Sequence, residues 1–278
     1  MSNGIITMNS LGKKGRFGNQ VFQYAFLNMY ASRYSLEIQT NPWVGQFLFG
    51  HQDPPVTHNF PLLTSHVIKK QIRKGTLFSS KTPPYRNVEL WGQFMFHTRF
   101  YRPHKKLFRS LFQPAPKIRS MVNKGYKDLR KRGETIIGIH IRRGDFLKFK
   151  DHKRNVPVPT SWYTKWLDQT WPTLKKPVLF IASDDVDSVL PDFKPYHPVI
   201  SSDVIKNFPK ITSFRPDTSF YPDFYLLTKC DVLAISNSSF SFAASMLNDR
   251  CKVFMRPNPK QKLVSYDPWD SDVRVNLR

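Results

Sequence analysis

A histidine, two arginines, a glycine and an aspartate at the end of an apolar run are residue types that can hold an anion, and His140-Ile141-Arg142-Arg143-Gly144-Asp145 is such a segment. Its guanidiniums offer fixed planar donors that match phosphate oxygens and, unlike lysine, stay charged at any working pH. A second segment, Ser236-Asn237-Ser238-Ser239-Phe240-Ser241-Phe242-Ala243-Ala244, follows the apolar run Val232 to Ile235. Phe240, Ala243, Ala244 and Leu247 recur at i, i+3, i+4 and i+7, which predicts a helix whose N-cap falls among Asn237, Ser238 and Ser239. Exposed N–H groups there, with the positive end of the helix dipole, make an anion site. The two segments together read as a diphosphate clamp, with His140, Arg142, Arg143, Asn237, Ser238, Ser239 and Phe240 as its candidate residues.

Each candidate has a plainer alternative. On an extended strand end His140 and Arg142 face one side together, and Gly144 lets the chain turn before Asp145. Asp145 is the first candidate for a general base, with Glu89 and Asp53 behind it; alternatively it pairs with an arginine as a structural salt bridge while His140 is a satisfied core residue. Ser183-Asp184-Asp185-Val186-Asp187 follows the apolar run Val178 to Ala182. Three roles stay open for it: an acidic side chain accepting hydrogen bonds from a nucleotide base or sugar, Asp185 and Asp187 holding a divalent metal, or a helix cap with acidic residues in the first turn. Because Arg142 and Arg143 already supply positive charge, no metal is expected. Near the amino terminus, Gly15 and Gly18 permit close backbone approach, while Arg16, Asn19 and Gln20 offer donors and acceptors at a helix start. Capping is the alternative there.

These segments need strands that deliver them to one edge. Gly4 to Met8 reads as a strand, Asn9 to Gln20 as a loop and Val21 to Tyr34 as a helix with Phe22, Ala25, Phe26 and Met29 on one face. Asn41 to Pro61, with Pro54-Pro55, reads as an irregular surface segment, and Lys105 to Arg132 as a basic connecting region broken at Pro114 and Pro116. From Thr135 the periodicity predicts strand 135–141, a helix around 163–167, strand 178–182, a helix around 224–228, strand 232–236, helix 240–247 and strand 252–255. Strands alternating with helices argue for an α/β fold with parallel sheets, and ligands of open parallel sheets bind at the carboxyl ends of the strands. No internal repeat or low-complexity tract is evident.

A chain of 278 residues suffices for two domains. We expect an amino-terminal domain over 1–132 and a carboxy-terminal domain over 133–278. No apolar run is long enough to span a membrane, and the first residues lack a signal-peptide pattern, so a soluble, cytoplasmic protein is expected. Cys230 and Cys251 read as small core residues. The net charge is +23, from 43 Lys and Arg against 20 Asp and Glu, concentrated at 69–74, 102–109, 117–132 and 148–154. Such a field draws anions, and a basic nucleic-acid-binding protein is the non-enzyme alternative. Against it, the basic clusters carry no nucleic-acid module, and the aromatic residues lie in apolar periodic stretches instead of alternating with basic ones. Peripheral contact with an anionic membrane is a further expectation.

Taken together, the segments resemble the α-1,2-fucosyltransferase family from Gly15 to about Leu247. Gly15-Arg16-Phe17-Gly18-Asn19-Gln20-Val21-Phe22-Gln23-Tyr24-Ala25 is similar to that family's opening signature. His140 to Asp145 resembles its first donor motif, Ser183-Asp184-Asp185 its second and Asp231 to Leu247 its third, while Trp91-Gly92-Gln93-Phe94 is a looser match. The resemblance implies a two-domain glycosyltransferase of the GT-B type, inverting and independent of metal, with the amino-terminal domain acceptor-side and the carboxy-terminal one donor-binding. GDP-fucose would be its nucleotide-sugar donor, a glycan hydroxyl its acceptor, and no cofactor would be needed. It implies further that His140 and Arg142 reach the nucleotide and its phosphates, Asp184 and Asp185 the base, and Ser238 and Ser239 the phosphate oxygens. Arg16 and Asn19, with Gly18 beside them, would lie at the reacting sugar. Phe242 and Ala243 stand where the family usually has two tryptophans, and Trp43 to Pro55 lies outside its common pattern. Another donor on the same scaffold, such as a UDP-linked xylose, is the runner-up.

Overall fold

The β-branched and apolar runs that open each half become the central strands of two parallel sheets. The computed structural model describes residues 4–148 and 153–278; of the basic cluster at 148–154, residues 149–152 lie outside the described residues. The chain divides into two units, one formed by residues up to Ala115 with Ile211–Thr218, the other by Pro116–Lys210 with Ser219–Arg278.

The first unit contains β1 (Ile5–Met8), α1 (Phe17–Tyr34), β2 (Glu37–Thr40), α2 (Val44–Phe49), β3 (Leu62–Thr64), α3 (Ser65–Arg73), β4 (Val88–Trp91) and α4 (Lys105–Leu111). Its sheet has the order β2-β1-β4-β3, with every pairing parallel. Helix α1 starts at Phe17, before the expected Val21, so Gly18 and Asn19 lie inside its first turn. It is buried on nearly all sides because aromatic rings cover the face away from the sheet: Phe26 stacks on Phe94 at 4.6 Å, and Phe22 meets Tyr101 edge-on at 5.8 Å. Of the expected surface segment Asn41 to Pro61, residues 43–49 are instead packed in, 44–49 as α2, whereas Gln52, Pro54, Pro55 and residues 57–59 are exposed as expected. Trp43 is fully buried against Tyr24 at 4.8 Å, and Thr40 N donates to the Pro54 carbonyl at 3.0 Å.

The second unit contains α5 (Pro116–Arg130), β5 (Thr135–Ile141), α6 (Thr160–Thr170), β6 (Pro177–Ser183), α7 (Val186–Val189), α8 (Ser201–Val204), α9 (Tyr221–Leu227), β7 (Val232–Ala234), α10 (Ser239–Leu247), β8 (Val253–Asn258) and β9 (Lys262–Ser265). The sheet order is β6-β5-β7-β8-β9, parallel except for the antiparallel β8–β9 edge. Strand β5 is buried on both faces, as expected of a central parallel strand. Ile137, Ile139 and Ile141 pack in one core with Tyr163 and Leu167 of α6 and Ile181 of β6.

The boundary between the units falls after Ala115, where we expected Arg132. Pro116 opens α5, a position at which proline lacks no needed N–H. The helix buries Ile118, Val122 and Leu129, and Gly125 lies so close to α8 that an added Cβ would sit 2.1 Å from Ile205 Cγ1. Arg130 then pairs with Asp231 at 2.7 Å, just ahead of β7. The basic region is therefore two helices, and the second belongs to the carboxy-terminal unit. The amino-terminal unit also takes in 211–218: buried Gln20 donates through Nε2 to the Arg215 carbonyl at 2.7 Å. Among the described residues, no helix is long and apolar enough to cross a membrane.

Candidate active site

In the second unit, β5, β6 and β7 run parallel, so the segments after Ile141, Ser183 and Ala234 all emerge at one sheet edge. The arginine-bearing turn is held there by acidic groups. Arg142 Nε and Nη2 donate to Asp145 Oδ1 at 3.0 and 2.6 Å, and its Nη1 meets Asp184 Oδ2 at 2.9 Å. Asp184 Oδ1 also accepts the Arg143 backbone N–H at 2.8 Å. An added Cβ on Gly144 would fall 2.1 Å from Asp184 Oδ2, so the carboxylate fits only because that residue has no side chain. The salt-bridge alternative for Asp145 is the arrangement found, and it fixes the plane of the Arg142 guanidinium. Arg143 Nη1 donates to the Val158 carbonyl at 2.8 Å, which fastens a later loop.

His140 is buried on β5, with Nδ1 2.8 Å from Ser236 Oγ and its ring 5.2 Å from that of Phe240. Burial draws its pKa down to about 3, so the imidazole is neutral at physiological pH. His140 and Arg142 take different partners: one faces β7's continuation and α10, the other β6's. Phe240 clips the histidine from the first turn of α10 and packs against Phe224 at 5.3 Å.

Ser238 is the N-cap of α10, and its hydroxyl accepts from Phe240 N at 3.3 Å. Ser239 is the first helical residue. Asn237 departs from its expected ligand role. Its Nδ2 donates to the carbonyls of Arg154 and Val275 at 2.9 and 2.7 Å, and its Oδ1 accepts the Val275 N–H at 3.0 Å. Both amide N–H groups are thus used in stapling the carboxy-terminal segment. That segment carries Arg274, which sequence reasoning missed. Arg274 Nε donates to the Asn237 carbonyl at 3.3 Å, and its guanidinium lies 5.6 Å from the centre of the Phe146 ring, as Arg142 lies 5.7 Å from the same ring. No periodicity or motif marks Arg274 in the sequence; only its long-range partners reveal it.

Asp185 is the N-cap residue of the four-residue α7, and its backbone N–H is held by Ser183 Oγ at 3.1 Å, while Asp187 lies in that helix's first turn. No group of three or more His, Cys, Asp or Glu residues placed to hold a metal occurs among the described residues.

In the first unit, Arg16 is the N-cap residue of α1, and its carbonyl accepts the Asn19 and Gln20 N–H groups at 2.8 and 3.1 Å. Gly15 has φ +78°, and a Cβ there would lie 2.8 Å from Asn19, whose side chain covers the turn. Gly18 is buried in the first turn of α1. Gln23 Nε2 donates to the Gly92 carbonyl at 2.8 Å, tying the opening motif to Trp91-Gly92, and Lys14 Nζ sits 3.4 Å over the Trp91 ring. Glu89 on β4 is 8% exposed, and burial raises its pKa. Burial likewise raises that of Asp53, whose Oδ2 is shielded from solvent without a hydrogen-bond partner. Of the two lesser base candidates, Glu89 is the second residue of β4, in register with Thr7 and Leu62, and Asp53 is half-buried between the exposed Gln52 and Pro54.

The fold is shared with solved fucosyltransferases. NodZ alpha-1,6-fucosyltransferase from Bradyrhizobium, in a crystal soaked with GDP-fucose, superposes with a TM-score of 0.62 at 15% identity, covering 95% of this chain and 99% of that one. A mutant of Arabidopsis thaliana FUT1 in complex with GDP gives 0.59 at 11% identity, covering 100% of this chain and 75% of that one. POFUT1 in complex with GDP-fucose gives 0.55 at 14%, covering 91% and 98%. At such identities the likeness is one of fold, and it bears out the expected GT-B arrangement of parallel-sheet α/β units. No curated protein matches the chain in sequence. The profile described as Glycosyl transferase family 11, however, matches residues 1–263, which includes the opening Arg16 motif, the Arg142 turn, Asp184 and the Ser238 cap. The chain therefore belongs to glycosyl transferase family 11, and it is a glycosyltransferase.

Proposed function

We propose that the enzyme transfers L-fucose from GDP-fucose to a hydroxyl of a glycan acceptor, with inversion and without metal. The observation that carries this is the placement of Arg142, locked by Asp145 and Asp184, in one cluster with the amino-terminal end of α10. A preorganised guanidinium and a helix N-terminus suit the charge that grows on a departing diphosphate, and a fixed donor of this kind is worth about 3 to 4 kcal/mol. The choice of fucose and guanosine follows the family motifs and the GDP or GDP-fucose named for NodZ, FUT1 and POFUT1.

In this mechanism the acceptor hydroxyl attacks the anomeric carbon while the bond to the diphosphate oxygen breaks. Arg142 stabilises the leaving group, with the Ser238 and Ser239 end of α10 as a second source of positive potential. Asp145 and Asp184 orient Arg142, and Asp185 contacts the base. His140, neutral and clipped by Phe240, presents its ring to the nucleotide. Arg16 and Asn19 serve the sugar end of the donor, with Gly18 keeping the helix start accessible. With Asp145 committed to Arg142, proton removal falls to Glu89 or to solvent, and a strongly oxocarbenium-like transition state demands little of either. The opening motif leads us to assign the α-1,2 linkage. Exposed Lys117, Lys124, Lys127 and Lys131 line one face of α5 and its end, and suit peripheral contact with an anionic membrane.

Incubation with a panel of sugar nucleotides, reading slow donor hydrolysis, tests the proposal. Hydrolysis confined to GDP-fucose supports it; preference for UDP-xylose replaces the donor, and no turnover of any sugar nucleotide removes the proposal. Linkage analysis of the product checks the α-1,2 assignment.

A further inference from the structure

Beyond its last strand the chain returns to the donor cluster. Val275 is held by Asn237 through both backbone groups, Asn276 Oδ1 accepts from Arg154 Nε at 3.0 Å, and the Leu277 N–H donates to the Lys153 carbonyl at 2.9 Å. These bonds fasten the segment without help from Arg274. Yet Arg274 is held among polar groups, with Nε on the Asn237 carbonyl, Nη2 on Asn155 Oδ1 and its guanidinium 5.6 Å from the centre of the Phe146 ring. We propose that Arg274 is a second diphosphate-binding guanidinium, acting with Arg142 on the phosphates of the nucleotide-sugar donor. This inference rests on the donor reading above.

Two arguments support it. Arg142 and Arg274 approach the same phenylalanine ring; Asp145 and Asp184 engage Arg142, while the Arg274 guanidinium bonds the neutral Asn237 carbonyl and Asn155 amide, so a diphosphate at this ring would meet two guanidiniums. Burial, with Arg154 and Arg142 close by and Asp145 opposing them, draws the Arg274 pKa down to about 10, which still leaves it charged at neutral pH. The second argument is position. The carbonyl that receives Arg274 belongs to the residue before the N-cap of the nine-residue α10, so the guanidinium stands beside the positive end of that helix. Its planar fork matches phosphate oxygens as a purely structural strap would not require. Arg274 lies past residue 263, where the family match ends, so the contribution belongs to this chain's own terminal segment.

The test compares wild type, Arg274→Gln and Arg274→Lys for binding of GDP and of guanosine by ligand-observed NMR, alongside the melting temperature of the unliganded proteins. We expect Arg274→Gln to weaken GDP at least about tenfold, or about 1.4 kcal/mol, with guanosine affinity and melting temperature little changed. Arg274→Lys should show a smaller loss of the same selectivity, and it carries the comparison should the glutamine variant fail to fold. GDP affinity within about twofold of wild type overturns the inference, as does an equal loss for guanosine, which marks a structural role. Should wild type bind inorganic pyrophosphate but no GDP, the donor reading fails, while an Arg274-dependent pyrophosphate affinity still upholds the anion site and an Arg274-independent one rejects it.

Discussion

The Asp184 carboxylate leaves the end of β6 and takes Arg142 Nη1 at 2.9 Å, while its other oxygen takes the next backbone N–H. One acidic residue thereby fixes both the side chain and the turn that present the arginine. It does so in the space that Gly144 leaves open.

Gly144→Ala should therefore resemble Asp184→Asn. A Cβ 2.1 Å from Asp184 Oδ2 must push the carboxylate away, and the asparagine removes one ionic partner of Arg142. Both variants should keep their fold and lose at least about tenfold in kcat/KM, about 1.4 kcal/mol of transition-state stabilisation. Wild-type turnover in the alanine variant would show that the Asp184–Arg142 contact has no part in catalysis.

Arg142→Lys should be as damaging, although the charge is kept. A point ammonium cannot satisfy Asp145 and Asp184 in the guanidinium's geometry and still address a phosphate in a bidentate manner. We expect at least about a tenfold loss of kcat with an unchanged melting temperature. Steady-state kinetics on GDP-fucose decides, and near-normal kcat would make Arg142 a structural residue.

Activity should survive excess chelator, because guanidinium groups supply the charge a divalent ion would bring. Asp185→Ala should raise donor KM, whereas Asp187→Ala, altering only the first turn of the short α7, should do little. If chelator abolishes transfer and manganese or magnesium restores it, the metal-free mechanism is wrong.

His140 makes stability sensitive to acid in a defined window. Its folded-state pKa is about 3, and an unfolded histidine titrates near 6.5. Between those values the unfolded chain binds a proton that the folded chain refuses, so stability falls as pH drops below 6.5, by up to about 1.4 kcal/mol per pH unit. His140→Gln removes this term. Urea melts at pH 6 and pH 4 should show a smaller loss for the variant than for wild type, and parallel losses would mean that His140 titrates normally in the folded state.

A ligand that binds only the folded state raises the melting temperature by mass action, so GDP should stabilise the protein. A nucleic-acid binder would instead take up oligonucleotides with steep salt dependence. Tight oligonucleotide binding at physiological salt without a GDP shift would return the basic charge to the non-enzyme alternative.

Local chemistry made much of this protein legible in its sequence. The β-branched run 135–141 had to be a buried strand, and the spacing of Phe240, Ala243, Ala244 and Leu247 with serines before it had to be a capped helix, because periodicity and capping depend only on near neighbours. The opening motif with Arg16 and the His140 to Asp145 turn were recognisable for the same reason. Strands β2, β3 and β4 were not: with three or four residues and mixed polarity, they are strands only because β1 and its neighbours pair with them. The fate of each polar group was likewise decided at long range. Asn237 is consumed by Val275 and Arg154, Asp145 and Asp184 are both bound to Arg142, and Arg274 arrives from the far end of the chain to stand beside them. Sequence fixes which groups can bind an anion, but a hydrogen bond uses up a donor wherever its partner comes from, and only the tertiary fold brings those partners together.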